Sequence, residues 1–188
     1  MMYPTPEQLY PLKFYPIFKS KIWGGQKIHT ILGMDTGTLP NCGEVWLLSG
    51  EKNNPSTIAN GIFKDQKLET IIDKYKADLI GLNVYKTFGN LFPLLIKFID
   101  AADDLSIQVH PNDNYAEENF NSKGKTEMWY IIDADNNTML VDGFNTTTNK
   151  EEVIQRINNN TLHEILNFKK AEKQQCYLIP ANRLHTIG

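Results

Sequence analysis

Apolar residues recur along this chain in two rhythms. In the first they alternate with polar residues or form short continuous runs, as strands do. Leu12–Phe18, Glu44–Ser49, Leu94–Asp100, Leu105–His110, Thr126–Asp133, Thr138–Phe144 and Gln175–Pro180 follow it. They are rich in Ile, Val, Leu, Phe, Trp and Tyr and are bounded by Gly, Pro, Asn and Asp. A mostly antiparallel sheet or barrel is predicted. The second rhythm repeats every three or four residues. In Gln66–Gly81 it carries Leu68, Ile71, Ile72, Tyr75 and Leu79, and Gly81 is placed to end a helix. Another helix is predicted near 148–168: Thr148 and Glu151 read as a capping box, Val153, Ile154 and Ile157 share a face, and Thr161–Phe168 extends it past an asparagine break. The polar stretch from Asn112 to Lys125 is expected to be a loop with one helical turn around Tyr115–Asn119.

Composition narrows the class. With 188 residues, 41% hydrophobic and 22% charged, the chain can bury a core, and a single domain over 1–188 is expected. A net charge of −3 without a Lys/Arg cluster argues against nucleic acid as a partner. The longest apolar run, Leu91–Ile99, is broken by Pro93 and Lys97 and is too short to span a bilayer. Met1–Tyr10 lacks the basic-then-apolar order of a secretory signal. Cys42 and Cys176 stand far apart without a CxxC, so neither a disulfide framework nor a cysteine metal site is expected. No membrane association and a cytoplasmic location follow as expectations.

The candidate chemistry lies on two strands and a turn. Along Leu105–His110, alternation puts Ser106, Gln108 and His110 on one face and Val109 on the other. A strand with that face is not building an ordinary apolar core there. Glu127 offers a carboxylate and His185 a second imidazole. Imidazole, carboxylate and amide oxygen without thiolate suit zinc, manganese, iron or cobalt better than calcium, and suit a catalytic ion with an open position; zinc is the first choice. A lone Gln-x-His is more often a hydrogen-bonded pair than a ligand pair. The later residues change this. A Gln-x-His pair, a Glu across a loop, and a turn with Pro180, Asn182 and His185 have the two-part layout of a cupin barrel, with Asn182 replacing a glycine where positive φ is required.

The strings Gly43-Glu44-Val45-Trp46, Pro55–Gly61, Ser106-Ile107-Gln108-Val109-His110-Pro111, Gly124-Lys125-Thr126-Glu127-Met128-Trp129-Tyr130, Ile179–His185 and the entry Trp23-Gly24-Gly25 together resemble the type I phosphomannose isomerases, in the same order and over essentially the whole chain. The resemblance implies a mainly β, cupin-like (jelly-roll) antiparallel barrel with a few helices, incomplete at its C-terminal end and without the family's second barrel. Such an open barrel leaves strand edges free to associate. It implies one zinc per chain held by Gln108, His110, Glu127 and His185. The implied reaction interconverts mannose 6-phosphate and fructose 6-phosphate, with a small sugar phosphate as the partner. Ser106 and Lys97 match positions associated with the substrate phosphate, and Lys125 matches a lysine lining the reaction pocket.

These positions also have a physical reading. Lys97 on an apolar strand is oddly placed unless it meets an anion or snorkels at a sheet edge. Lys125 should face the same side as Glu127, either as a catalytic group or as a plain ion pair. For the proton transfer through an enediol(ate), Lys125, Glu44 and a water on the metal are the candidate bases. The family's catalytic arginine lies beyond the second metal histidine, past Gly188, and Arg183 is not its equivalent by motif position. The chain is therefore expected to be an N-terminal portion or short form, with a non-catalytic metal- and sugar-phosphate-binding module as the alternative. A general cupin oxidoreductase is disfavoured because the first pair is not His-x-His. His185, three residues from Gly188, is expected to be weakly anchored. Trp46, Trp129 and Phe98 are expected to be core aromatics, and His29, His163, Asp103, Asp104, Glu117 and Glu118 to have surface or turn roles.

Overall fold

The computed structural model describes residues 9–188, so the N-terminal segment read above lies outside it apart from Leu9 and Tyr10. The chain divides into two compact units, one ending at Ala102 and the other running from Asp103 to Gly188.

In the first unit, β1 (Ile17–Ser20), β2 (Cys42–Ser49) and β3 (Leu95–Ile99) form an antiparallel sheet with β2 in the middle. The expected strand Leu12–Phe18 shrinks and shifts: only Ile17 and Phe18 of it belong to β1, and Phe14 makes an isolated bridge to Ile58. Pro11 and Pro16 lack the N–H a ladder needs there. A short helix α1 (Lys27–Thr30) follows β1, and its N-terminus is held by the Asp100 carboxylate, which accepts from the Lys27 N–H at 2.5 Å. The predicted helix over 66–81 forms in two pieces, α2 (Leu68–Tyr75) and α3 (Ala77–Ile80), because Lys76 takes a positive φ of 49°. Leu68, Ile71, Ile72 and Tyr75 are buried as the periodicity requires, and Gly81 ends α3 at φ 86°. A further helix, α4 (Leu82–Phe88), follows immediately and was not expected. Ile58, Phe63, Ile71 and Tyr75 make one apolar cluster, and Ile28, Cys42 and Val45 another.

In the second unit the strand over Leu105–His110 contracts to β4 (Gln108–Val109). It is followed by α5 (Asp113–Phe120), a full helix where a single turn was expected. Asn112 caps it, its side chain accepting from the Tyr115 N–H, and Asn121 closes it in the left-handed region. Then come β5 (Glu127–Tyr130), β6 (Met139–Phe144), α6 (Lys150–Asn158), β7 (Leu166–Lys170), β8 (Cys176–Ile179) and β9 (Leu184–Ile187). The α6 cap is Asn149, which accepts from the Glu152 N–H; Thr148 instead donates its hydroxyl to the Glu152 carboxylate. The helical extension over 161–168 is overturned. After Asn160, at φ 57°, the chain makes a 3-10 turn at Leu162–Ile165, and Leu166–Lys170 pairs with β6, burying Leu166 against Val141 and Leu184.

The second unit's strands form a four-stranded sheet ordered β4-β9-β6-β7 and a two-stranded sheet β5-β8, with every pair antiparallel. The mainly β, antiparallel expectation holds, but the sheets are not closed into a barrel. His185, expected to be weakly anchored, lies on β9, which is hydrogen-bonded to β4 on one side and β6 on the other. Cys42 and Cys176 are both free. Among the described residues no helix is long and apolar enough to cross a membrane.

Candidate metal centre

The site grows from the register of the second unit. Gln108 on β4 lies opposite His185 on β9, and His185 is in turn opposite Asp142 on β6. Glu127 opens β5, where Glu127 and Trp129 are half-buried and Met128 and Tyr130 exposed, as strand alternation requires. Ligand-capable atoms of His110, Glu127 and His185 all come within 4.8 Å of one another. Sequence reasoning named each of these three, and Gln108, the fourth residue it named, sits opposite His185 in the β4–β9 pair.

His185 is the most informative member. Its side chain is 1% exposed, and its Nδ1 lies 2.7 Å from the Arg183 carbonyl oxygen. A carbonyl can only accept, so Nδ1 carries a proton, which leaves Nε2 as the nitrogen able to offer a lone pair. That Nε2 is buried and has no hydrogen-bond partner among the described residues. The nearest carboxylate oxygen, Glu127 Oε2, is 3.6 Å away, beyond hydrogen-bond range. On the other side of the same carboxylate, His110 Nε2 is 3.5 Å from Glu127 Oε1, and the two imidazole rings are 5.0 Å apart. Two imidazole nitrogens and a carboxylate converging at these separations, one of them an orphaned buried acceptor, fit a divalent cation of the zinc class. The donor set is the one that catalytic zinc sites use, with no thiolate.

Two neighbours hold Glu127 in place. Lys125 Nζ is 2.5 Å from Oε1 and 3.4 Å from His110 Nε2. The Trp129 indole N–H donates to Oε2 at 3.2 Å, while its ring meets His185 edge-on at 5.5 Å. Burial alone would raise the Glu127 carboxyl, but the Lys125 ammonium, His110 and the indole N–H together hold it below the ordinary glutamate value. Sequence reasoning assigned Trp129 to packing and missed this contact. The Glu-x-Trp spacing, which puts both side chains on one strand face, was the available signal. Ser106 is exposed and precedes β4. Arg183, not equivalent by motif to a catalytic arginine, is tied up elsewhere: Nη1 donates to Asp142 Oδ1 at 2.9 Å.

Lys97 belongs to the first unit, and its place on an apolar strand has a local cause. Its ammonium donates to Glu44 Oε1 at 2.8 Å from the neighbouring strand β2. The Trp46 indole N–H donates to Glu44 Oε2 at 2.9 Å, so this tryptophan too is more than a core aromatic. Burial pushes the Glu44 carboxyl up, yet Lys97, the indole N–H and the more distant Lys21 leave it below the ordinary value. His29 Nδ1 lies 3.1 Å from the Met34 carbonyl, and Glu117 pairs with Lys123 at the surface.

The family model of the phosphomannose isomerase type I catalytic domain matches residues 11–149. Mannose-6-phosphate isomerase ManA of Bacillus subtilis is 38% identical over 181 residues, which are 95% of this chain and 54% of that protein. The crystal structure of the mannose 6-phosphate isomerase from Bacillus subtilis matches with a TM-score of 0.84 at 35% identity, over 94% of this chain and 55% of that one. A zinc-bound mannose 6-phosphate isomerase matches with a TM-score of 0.71 at 16% identity, a likeness of fold. The chain thus spans about half the length of the curated relatives it matches.

Proposed function

Because the chain belongs to the type I phosphomannose isomerase family, matched by its catalytic-domain model, we propose that it holds one zinc ion through Gln108, His110, Glu127 and His185 and serves the interconversion of mannose 6-phosphate and fructose 6-phosphate. The observation that carries this reading is the buried His185 Nε2, turned toward the Glu127 carboxylate without a hydrogen-bond partner among the described residues. Its Nδ1–H, committed to the Arg183 carbonyl, fixes the tautomer that a metal-binding imidazole needs. A cupin-like barrel and a cytoplasmic location belong to the same reading.

When bound, zinc supplies positive charge for the oxygens of the opened sugar as the aldose becomes the ketose. The chain's own residues do the rest. Lys125, with its side chain 40% exposed and its ammonium beside both Glu127 and His110, is assigned the proton transfer between C1 and C2. The Trp129 N–H keeps the Glu127 carboxylate from rotating. Ser106 is assigned to the substrate phosphate. Lys97 is assigned to it on the resemblance alone, since its ammonium is engaged by Glu44.

A coupled assay for fructose 6-phosphate formation from mannose 6-phosphate, run with elemental analysis of the same preparation, tests the reading. Turnover that follows zinc content is expected. Zinc without turnover would favour the metal- and sugar-phosphate-binding module, and absence of metal uptake on reconstitution would overturn the site itself.

A further inference from the structure

Resting on the metal reading above, we infer that Asn182 is a positioning residue that sets the spacing of the two imidazoles. The turn between β8 and β9 touches the chain beside Glu127, His110 and His185. The Ala181 N–H donates to the Thr126 hydroxyl at 3.3 Å, next to Glu127. The Asn182 N–H donates to the His110 carbonyl at 2.7 Å. The Asn182 side-chain oxygen accepts from the Asn112 N–H at 3.2 Å, so it grips the chain on both sides of Pro111. One residue later, the Arg183 carbonyl takes the His185 Nδ1–H, and the Arg183 guanidinium is anchored on Asp142, the residue opposite His185 in the β6–β9 pair.

Asn182 can make both of its bonds only because its backbone stands at φ 67°, a region that asparagine enters at small cost and that alanine resists. The segment bearing His110 and the strand bearing His185 are therefore tied through one exposed residue that touches no metal-binding atom itself. Alanine at this φ is strained and should cost stability as well, so the positioning role has to be read where that strain is absent, in a glycine variant.

Cobalt(II) titration followed by visible absorption tests this, because the band positions report coordination geometry as well as affinity. Asn182→Ala should weaken cobalt binding about tenfold or more and shift the bands, the scale of outer-shell changes at metal sites. Asn182→Gly keeps the left-handed backbone and the bond to His110 but loses the grip on Asn112, and should fall between the two. Asn182→Asp keeps the acceptor oxygen and the tolerated φ, and should restore parental affinity and spectrum. Unfolding midpoints in EDTA should fall in Asn182→Ala, where alanine is strained at this φ, and far less in Asn182→Gly, so weaker binding in Asn182→Gly reports the lost grip on Asn112. Parental affinity and bands in both Asn182→Ala and Asn182→Gly would overturn the positioning role while leaving the metal site standing. A parent protein that takes up no cobalt would overturn the metal reading and this role with it.

Discussion

Two clusters in this molecule are built from the same three parts. In the first unit, Glu44 accepts from the Trp46 indole two residues on and pairs with Lys97. In the second, Glu127 accepts from the Trp129 indole two residues on and pairs with Lys125. Both carboxyls are half-buried or better, and both are held below the ordinary glutamate value against the pull of burial. The difference is what else arrives. Glu44 has lysines, and its needs are met within the cluster. Glu127 has in addition two imidazoles, one with its outward nitrogen buried and unpartnered. A carboxylate with an indole and a lysine makes a stable ion pair. Adding the His185 Nε2, buried and without a hydrogen-bond partner among the described residues, leaves an acceptor that a proton or a cation would satisfy.

The strongest way to break this contrast is to remove the imidazole. His185→Ala should lower zinc affinity by about 100-fold or more, beyond the range of outer-shell changes, as read by competition with a chromophoric chelator. Unchanged affinity would remove His185 from the site and leave the two clusters equivalent. Next comes Glu44→Gln, which strips Lys97 of its partner. Its ion pair is largely buried, at 21% and 9% side-chain exposure. The variant should therefore lose about 2 kcal/mol of unfolding free energy in urea while retaining the parental zinc content. Loss of zinc in Glu44→Gln would show that the first cluster is not a self-contained ion pair.

A third comparison pairs the tryptophans. Trp129→Phe keeps the ring against His185 but deletes the N–H to Glu127, and should weaken zinc about tenfold. Trp46→Phe deletes the matching bond to Glu44 and should cost about 1 kcal/mol of stability without altering zinc. Equal effects on zinc from both variants would erase the distinction between the clusters.

Strand alternation made much of this legible in advance. It put Gln108 and His110 on one face, and the period of Leu68, Ile71, Ile72 and Tyr75 located α2. The positive φ of Asn182 was also foreseeable, because the turn before His185 has asparagine where glycine would serve. What escaped depended on partners distant in sequence. Lys97 looked like an unclaimed cation because Glu44, 53 residues earlier, is visible only once β2 and β3 pair. Phe168 was read as helical because local periodicity cannot reveal that β6 offers Val141 opposite it. The α6 cap moved from Thr148 to Asn149 because either side chain can serve an N-terminus, and the choice fell to which one reaches the Glu152 N–H.

The smallest effect concerns acid. A carboxyl whose folded value lies below its unfolded value contributes stability that is present above the ordinary value, here 4.5, and is lost as pH falls through the depressed one. In metal-free protein, stability should therefore decline as pH drops below about 4.5. Glu44→Gln should flatten part of that decline, because it removes one depressed carboxyl. Zinc should act differently at the second cluster. An ion on Glu127, His110 and His185 competes with protons for all three, so the extra stability that zinc confers should shrink as pH falls. Urea unfolding across pH, with and without zinc, separates the two behaviours. Identical profiles in both conditions would mean that the imidazoles of the second cluster bind no ion and that the likeness of the two clusters outweighs their difference.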